Sequence, residues 1–74
     1  MIPHYTIIDA FIATNKNRDD IVGDLCKDAM DDKNFPVGDY YAQVQYLKCI
    51  EILYPHIKDA VDEFFAELER FKFN

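Results

Sequence analysis

An all-α fold, a compact bundle of four short helices, is what the sequence predicts, and three observations carry that reading. Apolar residues recur at three- and four-residue spacings in four separate stretches, nothing alternates with period two for long enough to claim a strand, and clusters of breaking residues fall between the stretches. The chain has 74 residues, half of them hydrophobic, with only two Gly and three Pro. That length bounds it to one domain over residues 1–74. Six Phe and five Tyr make it too apolar for a disordered acidic tail. A domain this small buries roughly 60% of its unfolded surface, so each large apolar side chain counts.

Thr6-Ile7-Ile8-Asp9 reads as an N-cap followed by an acidic third position, and Ile7, Ile8, Phe11 and Ile12 then recur at helical spacing. The first helix is expected from about Thr6 to Thr14. Thr14-Asn15-Lys16-Asn17 suits a loop, because these side chains compete for backbone hydrogen bonds. Asp19 and Asp20 then offer cap oxygens and negative charge to the start of a second helix. Its core face is Ile21, Val22, Leu25, Cys26, Ala29 and Met30, and its wet face Asp24, Lys27, Asp28, Asp31 and Asp32. Gly23 inside that helix costs about 1 kcal/mol relative to Ala and points to close approach by another backbone, a neighbouring helix or loop.

Lys33-Asn34-Phe35-Pro36-Val37-Gly38 is the clearest break. Pro36 forces Phe35 out of the helical region, Gly38 permits a left-handed turn, and Asp39 caps the next helix. Phe35 is expected to fold back into the core and anchor the loop. A third helix runs from about Tyr40 to Lys48 or beyond, with Tyr40, Val44 and Leu47 on one face and Gln43 and Gln45 facing away. Cys49 to Tyr54 either extends this helix or breaks it, and Pro55 suits the first turn of a fourth, where its missing N–H does no harm. In that last helix Ile57, Ala60, Val61, Phe64, Phe65, Leu68 and Phe71 make a continuous stripe. Lys58 with Asp62, and Glu67 with Arg70, are spaced to pair on the wet side.

Charge excludes several functions. Fourteen acidic side chains against eight basic ones give a formal net charge of -6. The cations are scattered, with no basic stripe to displace counterions from a phosphate backbone, so direct nucleic-acid binding is not expected. No apolar run approaches the roughly 18 residues of a spanning helix and no helix has a Lys-rich polar face, so no membrane partner is expected. Met1-Ile2-Pro3-His4-Tyr5 lacks the cationic start of a signal peptide, and Cys26 and Cys49 are lone thiols without a Cys-x-x-Cys pair. A reduced, cytoplasmic setting is the expectation.

Chemistry-bearing motifs are scarce. Asp20, Asp24, Asp28 and Asp31 share a helical face, which reads as a solvated acidic surface rather than an acid/base pair. Asn15-x-Asn17-x-Asp19 opens like a calcium loop, but the sixth position is Asp20 where Gly is needed and the twelfth is Cys26 where a bidentate Glu belongs. His4 and His56 lack a second ligand at zinc spacing, and Cys26 belongs to an apolar stripe. Cys49 with His56 has no orienting residue or oxyanion-forming Gly loop. Phosphate-cradling Gly motifs are missing. No catalytic residue, metal or cofactor is therefore assigned, and the chain is not expected to be an enzyme.

Arg18-Asp19-Asp20-Ile21-Val22-Gly23-Asp24-Leu25, followed by Asp32-Lys33-Asn34-Phe35-Pro36 and then Tyr41-x-x-Val44-x-Tyr46-Leu47, resembles the YozE-like family of small bacterial proteins with a SAM-like (sterile alpha motif-like) helical fold. The likeness spans most of the chain, and its specific part is the Arg-Asp-Asp-x-Val-Gly-Asp-Leu and Phe-Pro segments. Members often carry tryptophan in the first or last helix; Phe11 and Phe65 take those places here, and Cys49 to Pro55 departs from the pattern. The resemblance implies four or so short helices, no activity, and no catalytic residues to carry over. By fold analogy it suggests a non-catalytic protein-interaction module. Tyr40, Tyr41, Tyr46 and Tyr54 are too many rings for one short helix to bury, and tyrosines at a surface favour protein contacts. The candidate partner surface is therefore Asp24, Asp28, Asp31, Tyr41, Gln45 and Tyr46, where the acidic second helix meets the tyrosines of the third. An alternative is an acidic decoy or antitoxin-like regulator of a nucleic-acid-binding protein. The partner is a protein in either case, and the chain alone is expected to be a monomer or weak homodimer.

Overall fold

The computed structural model describes residues 5–73. Four α-helices follow one another, α1 (Ile7–Asn15), α2 (Ile21–Asp31), α3 (Tyr40–Leu53) and α4 (Lys58–Lys72), with a single 3₁₀ turn at Pro55–Ile57 leading into α4. Among the described residues there is no strand. Each helix start has a local cause. Thr6 caps α1 in a full capping box: its hydroxyl accepts from Asp9 N at 3.0 Å and Asp9 Oδ2 accepts from Thr6 N at 3.0 Å. Asp20, rather than Asp19, caps α2 by accepting from Gly23 N at 2.8 Å, and Asp39 caps α3 by accepting from Ala42 N at 3.1 Å. Gly38 sits at φ 81°, the left-handed turn expected before that cap. Cys49 to Leu53 continues α3, and Tyr54 is its C-cap.

The core is built chiefly from α1, α2 and α4. Ile8, Phe11 and Ile12 meet Val22, Leu25, Cys26 and Ala29 and, from α4, Val61, Phe64 and Leu68. Phe11 stands edge-on to Phe64 at 4.9 Å and to Phe71 at 5.3 Å, geometries that aromatic rings prefer over face-to-face stacking. Phe35 does fold in from its loop, where its ring meets Tyr46 edge-on at 5.2 Å. Burial leaves Ile21 and Met30 half exposed, so the core stripe of α2 is narrower than the sequence suggested.

Two polar contacts differ from expectation. Gln43 does not face away; it is fully buried. Its Nε2 donates to Asp9 Oδ1 at 2.6 Å, its Oε1 accepts from the Thr6 hydroxyl at 2.6 Å, and Asp9 Oδ2 also accepts from Gly38 N at 3.0 Å. This closed ring of hydrogen bonds ties the start of α1 to the loop and to α3, and it satisfies a carboxylate that α1 buries. Glu67 pairs not with Arg70 but with Arg18, whose guanidinium grips it through both terminal nitrogens, Nη1 to Oε1 and Nη2 at 3.1 Å from Oε2, while Nε lies 3.1 Å from Asp20 Oδ2. The expected Lys58–Asp62 pair is present at 2.7 Å. Hydrogen bonding to Glu67 and then Asp20 raises the Arg18 pKa further above its already high range, so this clamp stays charged.

Gly23 shows why α2 tolerates a glycine. A Cβ there would lie 2.0 Å from the carbonyl oxygen of Arg18, so the close backbone is the connection entering α2 rather than a separate helix.

Candidate partner-binding groove

Helices α2 and α3 are consecutive, yet no Cα of one comes within 8 Å of the other; both lean instead on α4. The loop between them sends Phe35 into the core against Tyr46 of α3. What remains between them is a groove of about 670 Å³, within the range of pockets that bind ligands. Its floor is apolar: Leu25 and Ala29 from α2, Leu47 and Ile50 from α3, and Ile57 and Ala60 from the start of the α4 segment. Tyr46 and Tyr54 add rings, and Ile21 borders it with its side chain half in water.

The rim is acidic. Asp24, Asp28 and Asp32 line the α2 bank at four-residue intervals, and Asp59, from the first turn of α4, lines the groove as does His56. No Lys or Arg lines the groove. Among the described residues none of these four carboxylates lies within 4.0 Å of a cation: Lys58, next to Asp59, is taken by Asp62 at 2.7 Å and Glu51 at 3.9 Å, and Arg18 by Glu67 and Asp20. The last turn of α2 has no basic residue, although that is the negative end of the helix dipole. At the end of α3, just before Tyr54 in sequence, Ile52 and Leu53 are 77% and 68% exposed without lining the groove.

The predicted surface residues separate. Asp24, Asp28 and Tyr46 all line the groove. Asp31 turns to the other side of α2, where with Lys16, Asn17, Lys27 and Met30 it borders a smaller hollow of about 220 Å³. Tyr41 is 82% exposed but stands apart from the groove, its ring edge-on to Tyr40, and Gln45 is exposed without lining it. Tyr40 is half-buried and is held by Lys72, whose Nζ donates to its hydroxyl at 3.0 Å. Tyr54, one of the tyrosines that the sequence pointed to, also lines the groove, whereas Asp32, Ile50, His56, Ile57 and Asp59 were not foreseen there. The available signal was that α3 stays apolar on several faces past Lys48, more than one core contact can use.

The thiols and histidines hold no built site. Cys26 is fully buried and desolvation pushes its pKa up to about 12, an inert core thiol. Cys49 is exposed, and His4 lies outside the described residues. Among the described residues no three His, Cys, Asp or Glu side chains converge to hold a metal ion, and no helix is long and apolar enough to cross a membrane.

Fold and groove together define a class: a small all-helical bundle with an acid-rimmed apolar cleft between two helices whose Cα atoms stay more than 8 Å apart. Comparison with protein-family models, with curated proteins and with solved structures found no match to the chain.

Proposed function

We propose that this chain is a non-catalytic protein-interaction module of the cytoplasm, SAM-like and akin to the YozE-like family, that receives a segment of a partner protein in the groove between α2 and α3. One observation carries the reading. The domain satisfies its interior, with no buried side-chain nitrogen or oxygen left unpartnered among the described residues, yet along the groove, beside the buried Leu25, Ala29 and Leu47, it leaves Ile21 and Tyr54 exposed and Ile50, Ile57 and Ala60 only partly covered. Apolar surface is covered at a gain of roughly 25 cal/mol per Å², so an open cleft of this kind favours a visitor. The residues that carry the likeness to the YozE-like family have structural roles in this chain: Arg18, Asp20 and Gly23 form one packed corner, and Phe35 anchors its loop in the core. The acidic-decoy alternative uses the row of carboxylates but gives the apolar floor no role, which is why it ranks second.

Selection of random 16-residue peptides displayed on phage against the folded chain tests the reading. The enriched peptides are expected to share apolar anchors and to lose affinity for Ile21→Ser and Tyr54→Ser, two exposed positions on the groove. Purely basic winners without anchors would favour the decoy. Enriched peptides indifferent to both substitutions would overturn the groove as the site.

A further inference from the structure

Resting on that reading, we infer that the occupant is an amphipathic helix of a partner protein with Lys or Arg along one flank, its cations over Asp24, Asp28 and Asp32 and its apolar side chains entering between α2 and α3. Charge complementarity is the first argument. Among the described residues the rim presents four carboxylates with no cation within 4.0 Å, in a chain of formal net charge -6. A second copy of this chain would bring the same sign to the same place, so like charges oppose self-docking.

Spacing is the second argument. Asp24 and Asp28 lie four residues apart within α2, about 6 Å along a helix, and Asp32 follows at the same sequence interval as the C-cap just past its end, where its Oδ1 also accepts from Asn34 N at 2.9 Å. A helix laid alongside, with cations every fourth residue, repeats at the same interval and can meet Asp24 and Asp28 in step. A polyproline segment repeats about every 9 Å and falls out of step. Strand addition has no edge to use, since the described residues contain no strand. A helix set in a groove is the recognition mode left, with apolar anchors at i, i+3, i+4 and i+7.

Asp28 and Asp31 occupy the last turn of α2 with no basic residue there, and Asp32 follows as the C-cap, so three acids crowd the end that prefers cations. Departures from such a local rule are expected at functional or strained sites. A partner's cations beside Asp28 and Asp32 supply what the helix end lacks.

Three synthetic 18-residue peptides with a common apolar composition test this by calorimetry. One carries Lys at every fourth position of one flank, one carries Glu there, and one has the residues of the first shuffled so that neither face nor flank survives. The Lys-flanked peptide is expected to bind at least about tenfold more tightly than either other, with affinity falling from 50 to about 300 mM salt. Asp28→Lys is expected to weaken it by about tenfold or more. That variant is a sound control for folding, because Asp28 is exposed and the change removes an acid from a helix C-terminus. Equal binding of the Lys and Glu peptides would overturn the basic partner while keeping the groove. Equal binding of the shuffled peptide would overturn the helical register. If none binds while phage-selected peptides do, the inferred occupant is wrong and the interaction module stands; if the display also yields no groove binder, the module itself falls.

Discussion

Gly23→Ala tests the corner on which α2 begins. The added Cβ would sit 2.0 Å from the Arg18 carbonyl oxygen, 2.6 Å from its carbon and 2.7 Å from its Cβ. An ordinary contact is about 3.5 Å, so the backbone must give by roughly 1.5 Å. It has little freedom to do so. Arg18 N donates to Asn15 O at 3.1 Å, and the Arg18 side chain is bound to both Glu67 and Asp20. Alanine gains about 1 kcal/mol of helix propensity over glycine. Against that stand about 1–3 kcal/mol for forcing atoms into filled space, and about 1 kcal/mol for loosening a partly exposed clamp. The net expectation is a loss of about 2 kcal/mol, from a total that for a chain of this length is on the order of 4–11 kcal/mol. With a urea slope of about 1 kcal/mol/M the unfolding midpoint should fall by about 2 M, and the melting temperature by roughly 8–16 °C. A midpoint at or above that of the wild type would show that the Arg18 carbonyl is not held where the structure places it.

Other consequences can be checked by the same denaturation measurements or by simple chemistry. Gln43→Ala should cost about 3 kcal/mol, because it opens a cavity and leaves Asp9 and Thr6 a partner short, whereas Gln45→Ala, exposed on the same helix, should change stability by less than about 0.5 kcal/mol. The Arg18 hydrogen bonds hold Glu67 below the usual carboxylate range, and the Gly23 N–H followed by Arg18 does the same for Asp20. Both carboxylates therefore bind fewer protons folded than unfolded, so their stabilisation is whole above the unfolded values and is lost as pH falls through the lower folded ones. Stability measured from about pH 5 down to pH 2 should fall less steeply in Arg18→Ala, and an unchanged profile would contradict the clamp. A thiol reagent should modify Cys49 at once in the native protein and reach Cys26 only in denaturant, given its burial and a pKa pushed up to about 12.

Much of the fold was legible because its signals are local. Thr6 with Asp9, Asp39, Gly38 and the Phe35-Pro36 break each act within a few residues, and the structure uses all of them as the sequence suggested. Contacts across the chain were not legible. Gln43 looks solvent-bound by its type, and only the arrival of Asp9, 34 positions away, makes its burial favourable. Glu67 has Arg70 at helical spacing but takes Arg18, 49 positions distant, which offers a planar two-pronged donor. Half of the site was readable in the same sense. The acidic run put Asp24 and Asp28 on one face, but which acids meet the tyrosines depends on how α2 is rotated against α4. That rotation brings Asp32 and Asp59 to the groove and carries Asp31 away from it. Tyr41 was grouped with Tyr46 by proximity in sequence, yet five residues along a helix place the two rings in different surroundings.

Backbone amide shifts of isotopically labelled protein during titration with the Lys-flanked peptide test the groove most directly. Perturbations should gather at Asp24, Asp28, Ala29, Ile50, Tyr54, His56 and Ala60, the two banks and floor of one cleft, and should shrink in Asp28→Lys. Saturable shifts centred instead on Tyr41, or on Lys27, Met30 and Asp31 across α2, would contradict the assignment of the α2/α3 groove as the surface through which this protein meets its partner.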